Sequence, residues 1–242
     1  MVRSLVPEEN RPRFFVYIIE SPAAHDLYHK RYEGDLLQKA LSLDSIPCSH
    51  RIAVSEEAFD AALLIGLKEQ MDVYKELTPI MHISAHGANN GIQLTDGTII
   101  DWDKLRQKLI PINKSLKEGL LLCMSSCEGF SACGMAMTKE VEQPFIAMIG
   151  NSGKPTWSDT SIAYAAFYHL IRKGYYVTDA VKAMCEASGD ELFHAIRCNE
   201  AQKLFLDSLS KNESIQDRQR IQEEIDKNPP SLESKELENG KV

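Results

Sequence analysis

The sequence predicts an α/β domain built on a mostly parallel central sheet with helices on both faces. Three observations carry this. Short apolar runs alternate with segments of helical spacing up to Gly150, the pattern of strands joined by crossover helices. The runs are continuously apolar rather than alternating, as strands covered on both faces should be. The chain has 242 residues, 43% of them hydrophobic and 26% charged, which is ordinary globular composition and enough length to bury a core without staples.

The first strand is residues 14–19, rich in aromatic and β-branched side chains and bounded by Pro12 and Pro22. Residues 26–43 then place Leu27, Leu36, Leu37, Ala40 and Leu41 at helical spacing. Ile52-Ala53-Val54 is the second strand, and Ser55 caps a helix carrying Ala62, Leu63, Ile65 and Leu67. Residues 79–85 form the third strand. A polar turn over 86–91 leads to a small hairpin turning at Asp96-Gly97. A helix opening at Asp101 or Asp103 should end before Pro111. Residues 120–126 and 145–150 are the fourth and fifth strands. Ser158 or Asp159 begins a helix that runs through Ile171 and stops at Gly174, and further helices cover about 178–187 and 190–206. From Ser208 onward the chain is polar and broken by Pro229-Pro230, which reads as a mobile or marginally helical tail. The expected layout is an N-terminal extension over 1–12, one domain over 13–207 and the tail over 208–242.

Charge narrows the function classes. With 27 basic against 35 acidic side chains the net charge is -8, which disfavours nucleic acid as a direct ligand. No apolar run is long enough for a membrane span. The first residues lack the apolar core of a signal peptide, so a cytoplasmic protein is expected, with its 6 cysteines as thiols.

In sheets of this kind ligands bind beyond the carboxyl ends of the strands. Five segments lie there: Glu20-Ser21, Ser55-Glu56, His86-Gly87, Cys127-Glu128-Gly129 and Asn151-Ser152-Gly153. Two of them offer a histidine and a cysteine on consecutive strands. Consecutive parallel strands are often neighbours about 4.8 Å apart, so the two side chains can approach each other. An imidazole can deprotonate a thiol or pair with its thiolate. The backbone N–H groups of Gly87 and Cys127 could bind an oxyanion. Gly129 permits a sharp departure into a following helix, whose N-terminus would favour the thiolate. A cysteine met at random is more often a small buried hydrophobe. The coincidence of His86 and Cys127 at strand ends favours chemistry.

Ile83-Ser84-Ala85-His86-Gly87, Gly91-Ile92-Gln93-Leu94-Thr95-Asp96-Gly97 and the segment ending Ser125-Ser126-Cys127-Glu128-Gly129 resemble the CHAT-domain branch of the caspase-like, clan CD cysteine peptidases. The likeness continues through Phe145-Ile146-Ala147-Met148-Ile149-Gly150, Trp157-Ser158-Asp159 and Gly174-Tyr175-Tyr176-Val177. It spans about 13–188. The resemblance implies a caspase-like three-layer sandwich, with a mostly parallel sheet flanked by helices. It implies a cysteine endopeptidase with Cys127 as nucleophile, His86 as general acid/base and no metal or organic cofactor. A specific protein substrate and a regulatory protein partner would follow, in a regulated pathway or in bacterial antiviral defence. Ser125-Ser126 stand where caspases carry Gln-Ala, so Asp specificity is not implied. Two other readings stay open: a non-catalytic binding or scaffold module, and a thiolate enzyme acting on a small molecule.

The specificity pocket should draw on loops at the same sheet end: Glu20, Ser21, Ser125, Trp157 and Asp159. Two acids and no base suggest a basic residue before the cut. Asp159 has a competing role as helix cap, and without the acids Trp157 and the serines would favour an uncharged residue. Other signals carry little. Cys123, Cys127 and Cys133 contain no Cys-x-x-Cys, His25 and His29 lack the zincin Glu, and 150–156 has Pro155 where a P-loop needs an N–H. His82 sits among apolar strand neighbours and reads as core.

Overall fold

The computed structural model describes residues 5–88, 90–210 and 217–228. Strand β1 (Phe14–Ser21) is buried along its whole length. Helices α1 (Ala24–Tyr28) and α2 (Glu33–Leu43) replace the single helix expected over 26–43, because the chain turns at Lys30 with a φ of 54°. Strand β2 (Cys48–Ile52) is followed by α3 (Glu56–Asp60), capped by the Ser55 side chain, which accepts from Ala58 N–H. The helix widens into π turns over Ala61–Gly66 before continuing as α4 (Leu67–Val73). A buried hydroxyl accounts for the widening: Tyr17 Oη donates to the Ala62 carbonyl at 2.6 Å, and a side chain inserted in the ladder opens it.

Strand β3 (Thr78–Ala88) leads to the hairpin β4 (Gly91–Gln93) and β5 (Ile99–Asp101), then α5 (Trp102–Ser115) and β6 (Leu121–Ser125). A 3-10 segment, Gly129–Ala136, precedes β7 (Ala147–Asn151). Helices α6 (Trp157–Arg172) and α7 (Val177–Ser188), strand β8 (Phe193–Arg197) and helices α8 (Cys198–Ser210) and α9 (Asp217–Lys227) complete the described chain. The sheet order is β2-β1-β3-β6-β7-β8. Its first five strands run parallel and β8 runs antiparallel to β7.

Alternation along each strand builds two cores. Phe14, Val16 and Ile18 pack with Leu37 and Leu41 of α2, Tyr164, Phe167 and Tyr168 of α6, and Met184 of α7. Phe15, Tyr17 and Ile19 pack on the other face with Phe59, Leu63, Leu105, Leu109, Phe130 and Phe205. The result is three layers, with helices on both sides of the sheet. Among the described residues no helix is long and apolar enough to cross a membrane.

Three expectations need correction. Helix α5 continues through Pro111 to Ser115; Leu109 and Ile112, on either side of the proline, are both buried against the core, and this packing offsets the missing backbone bond. The helix expected over 190–206 begins later, because residues 193–197 pair with β7. The tail expected from Ser208 is not all undocked. Helix α8 runs to Ser210, and α9 buries Ile225 in the core, while Cys133 Sγ donates to Gln222 Oε1 at 2.6 Å. The rest of that tail, 211–216 and 229–242, lies outside the described residues. The N-terminal extension is also pinned in part, since Val6 N–H donates to the Gly174 carbonyl at 2.8 Å.

Two outcomes follow. Tyr17→Phe removes one of the two donors to the Ala62 carbonyl, which keeps the Leu67 N–H, and the urea midpoint should fall by the equivalent of about 1 kcal/mol. Asp226 is pushed above the usual carboxylate range, chiefly by burial and then by Glu128 and Glu223. A raised acid favours the protonated form in the fold, so docking of α9 is strongest at acid pH and weakens as pH rises through the raised value. Hydrogen exchange across 217–227 should show this loss of protection, and Asp226→Asn should remove its pH dependence.

Candidate active site

Parallel strands put their carboxyl ends at one edge, and the register aligns them. Glu20 of β1 faces Ser84 of β3, and Ser84 faces Ser125 of β6. Two residues beyond Ser84 comes His86, and two beyond Ser125 comes Cys127. The pleat sends alternate residues to one face, so β3 directs His82, Ser84 and His86 the same way, and β6 does the same with Cys123 and Ser125. Cys123 belongs to the core shared with α2 and α6.

His86 is held where β3 outruns the main sheet and pairs with β4, opposite Gln93. Its ring meets Trp157 edge-on, with centroids 6.0 Å apart and planes at 82°. Its Nε2 is buried and has no hydrogen-bond partner among the described residues. Cys127 is a free, half-buried thiol in the turn after β6. Glu128 follows in the left-handed region with a φ of 53°, an uncommon conformation for a residue with a side chain. Its N–H donates to the Gly153 carbonyl at 2.6 Å, and Gly129 N–H donates to the Ser126 carbonyl at 3.1 Å. No backbone hydrogen bond among the described residues uses the Cys127 N–H.

Two glycines bring these loops together. A Cβ on Gly87 would lie 1.9 Å from the Cys127 carbonyl oxygen and 3.0 Å from Cys127 Cβ, so the backbone after His86 rests directly on Cys127. A Cβ on Gly150 would lie 2.7 Å from Phe130 N, so the chain after Cys127 crosses β7 only because that position is bare. This is the packing reason for a glycine in the P-loop-like stretch. The segment beyond Cys127 is 3-10 rather than the helix expected, and α9 packs against it. His86 and Cys127 thus stand on touching loops, but no hydrogen bond or ion pair between their side chains occurs among the described contacts.

The other expected site residues divide. Trp157 is 36% exposed and lies beside His86. Asp159 closes a capping box with Thr156 at the start of α6, which is the competing role and engages its carboxylate. Ser21 is buried, donating to the Ala53 carbonyl at 2.6 Å and accepting from Thr95 N–H at 2.9 Å. Glu20 is 1% exposed. Its two oxygens accept the N–H groups of Glu33 and Gly34 at 2.9 Å each, and His50 Nε2 lies 2.8 Å from Oε2. Glu20 therefore caps α2 from the neighbouring strand. Glu20 is thus wholly engaged inside the protein, while Asp159 spends one carboxylate oxygen, Oδ2, on the N–H and hydroxyl of Thr156. Ser125 is buried too, and its hydroxyl donates to Glu33, at 2.9 Å from Oε1 and 2.7 Å from Oε2.

Sequence reasoning missed Glu33. Its carboxylate also accepts from Ser84 Oγ at 2.7 Å and lies 3.7 Å from His82 Nε2, while His82 Nδ1 and Tyr168 Oη are 2.8 Å apart. An available signal was the polar alternation His82, Ser84, His86 within an apolar strand. Burial pushes the Cys123, Cys48 and Cys198 thiols up to about 12, and the Cys133 thiol up as well.

No protein-family model matches the sequence, and no curated protein matches it. Among solved structures, the chain is similar to a secreted C11 cysteine protease from Bacteroides thetaiotaomicron, iotapain. That match has a TM-score of 0.52 and 12% identity over 80% of this chain and 68% of that one. At that identity the likeness is one of fold: the chain has a caspase-like three-layer architecture, an α/β sandwich around a largely parallel sheet.

Proposed function

We propose that the protein is a cysteine endopeptidase of the caspase-like clan, in its CHAT branch, that cleaves a specific protein substrate. The observation that carries this is the seating of Gly87 on the Cys127 backbone at the carboxyl end of the sheet. Cys127 attacks the peptide carbonyl, and His86 takes the thiol proton and returns it to the leaving amine. The tetrahedral oxygen is held by the N–H groups of Gly87 and Cys127. Water then attacks the thioester, with His86 as base, and releases the new carboxylate and the free thiol. Trp157 forms a wall of the substrate cleft beside His86. A regulatory protein partner, in a defence or other controlled pathway, switches the activity. The chemistry uses protein groups only.

A second reading has its own support. No side-chain hydrogen bond joins His86 to Cys127 among the described residues, as would suit a binding module with this fold. Cleavage-site mapping on a whole proteome, wild type against Cys127→Ala, separates the two. The peptidase reading expects neo-termini that vanish with either Cys127→Ala or His86→Ala, each lowering cleavage about 100-fold or more, with the double variant little worse. Identical termini in wild type and Cys127→Ala would sink it.

A further expected outcome concerns the oxyanion site. Gly87→Ala forces a methyl against the Cys127 carbonyl, where backbone has no room to give. Cleavage should fall by about tenfold or more, as misplacement near reacting atoms does, while circular dichroism stays native.

A further inference from the structure

We propose that Glu33 is a positioning residue that locks the strand carrying His86 to the strand carrying Cys127. This rests on the reading of those two residues as the reacting pair. Ser84 and Ser125 are cross-strand partners on β3 and β6. Each lies two residues before one member of the pair. Both hydroxyls donate to the one carboxylate of Glu33, at 2.7 Å from Ser84 and 2.7–2.9 Å from Ser125. The Glu33 side chain is 0% exposed. Parallel strands are already joined by backbone bonds, but the named pairing of β3 with β6 ends at Ser84 and Ser125. Beyond it β3 turns to β4, and β6 gives way to the Cys127 turn. The carboxylate therefore joins the two strands at the last rung before they separate.

The chemistry of the clamp suits rigidity. A buried carboxylate is costly unless every partner is in place. Two hydroxyl donors and His82 Nε2 at 3.7 Å surround it, and among the described residues no lysine or arginine pairs with it. Movement of either strand end breaks a charge-assisted bond in a low-dielectric setting, so the pair of strand ends is held to one separation. Glu20 fixes the clamp in turn, since it accepts the Glu33 N–H at 2.9 Å. Side-chain placement two residues downstream inherits that stiffness, which is where nucleophile and base need it.

The test needs no knowledge of the substrate. Alkylation of the protein by iodoacetamide near neutral pH is followed by mass spectrometry, peptide by peptide. Cys127 is the reporter, and Cys48, partly buried in β2 with its thiol pushed up to about 12, is the slow-reacting reference whose labelling rises only if the fold opens. His86→Ala should slow alkylation of Cys127 because its base is gone. Glu33→Ala should slow it about tenfold or more with Cys48 unchanged. Glu33→Gln, which keeps a carbonyl acceptor and folds with less risk, should recover part of the rate. If Glu33→Ala and Glu33→Gln leave Cys127 at the wild-type rate while His86→Ala slows it, the positioning role is wrong and the pair stands. If the Glu33 variants raise labelling at Cys48 and Cys127 alike, Glu33 is merely structural and the proposal falls. If His86→Ala itself changes nothing, the reacting pair is wrong, and the role assigned to Glu33 falls with it.

Discussion

Two glutamates buried at the N-terminus of α2 hold this end of the molecule together. Glu20 accepts the N–H groups of Glu33 and Gly34, and Glu33 accepts the hydroxyls of Ser84 and Ser125. Helix α2 has no cap of its own, because the Tyr32 side chain at that position makes no capping bond and its hydroxyl donates to the Leu27 carbonyl instead. Its free N–H groups and dipole are what make buried carboxylates tolerable here. The dependence runs both ways. Without Glu20 the helix start is unsatisfied, and without the helix start Glu20 loses both of its backbone donors. The position of α2 against the sheet is thus set by polar bonds at one end and by Leu37 and Leu41 along its apolar face.

The opposite face of the sheet serves the site differently. There the core is apolar, and it receives the chain that leaves Cys127. Phe130 is wholly buried directly after the turn, and Gly150 gives it room against β7. Helix α9 then closes over the same segment through Ile225 and Gln222. The turn carrying Cys127 is consequently anchored on both sides: by the rung at Ser125 before it and by the Phe130 packing after it. The strained Glu128 persists because both anchors determine it, and its N–H still finds the Gly153 carbonyl.

How much of this was legible follows from what each element depends on. Strands β1, β3, β6 and β7 are continuous apolar runs, and burial on both faces writes that pattern directly into composition. His86 and Cys127 were legible because a strand's carboxyl end is a position in the sequence as well as in space. Strand β8 was not: Phe193-His194-Ala195-Ile196-Arg197 is short and mixed, and only the edge of β7 makes it a strand. Helix α9 was missed for a similar reason, since Ile225 is one apolar side chain in a polar stretch and its partner surface is more than eighty residues away at Cys133. Glu33 was invisible because an acid in the first turn of a helix is ordinary; only the crossing of α2 over the sheet brings it beneath Ser84 and Ser125. Glu20 and Asp159 were seen as acids at the right edge, and the capping role of Asp159 was legible in the sequence, but the α2 N–H groups that occupy Glu20 come from a helix that only the fold places beside it.

The same polar row explains why chemistry at this edge would fall to one cysteine among six. Cys123 is on β6 four residues before Cys127, lies on the same face and is wholly buried, with its thiol pushed up to about 12 by burial. At neutral pH it stays a thiol, and thiols are poor nucleophiles. Cys133 follows the turn and is buried with its sulfur bonded to Gln222. Between them the strand has ended at Ser125, and Cys127 is in neither the sheet nor the 3-10 segment that follows. Its setting is made by termination: the ladder stops at Ser125, Glu33 holds that last rung, and Cys127 follows half-buried in the turn beneath Gly87. A nucleophile at this site therefore requires no special residue beyond a cysteine placed two positions past the final rung, which is a property of register, and register is what Glu33 and the β3–β6 pairing maintain.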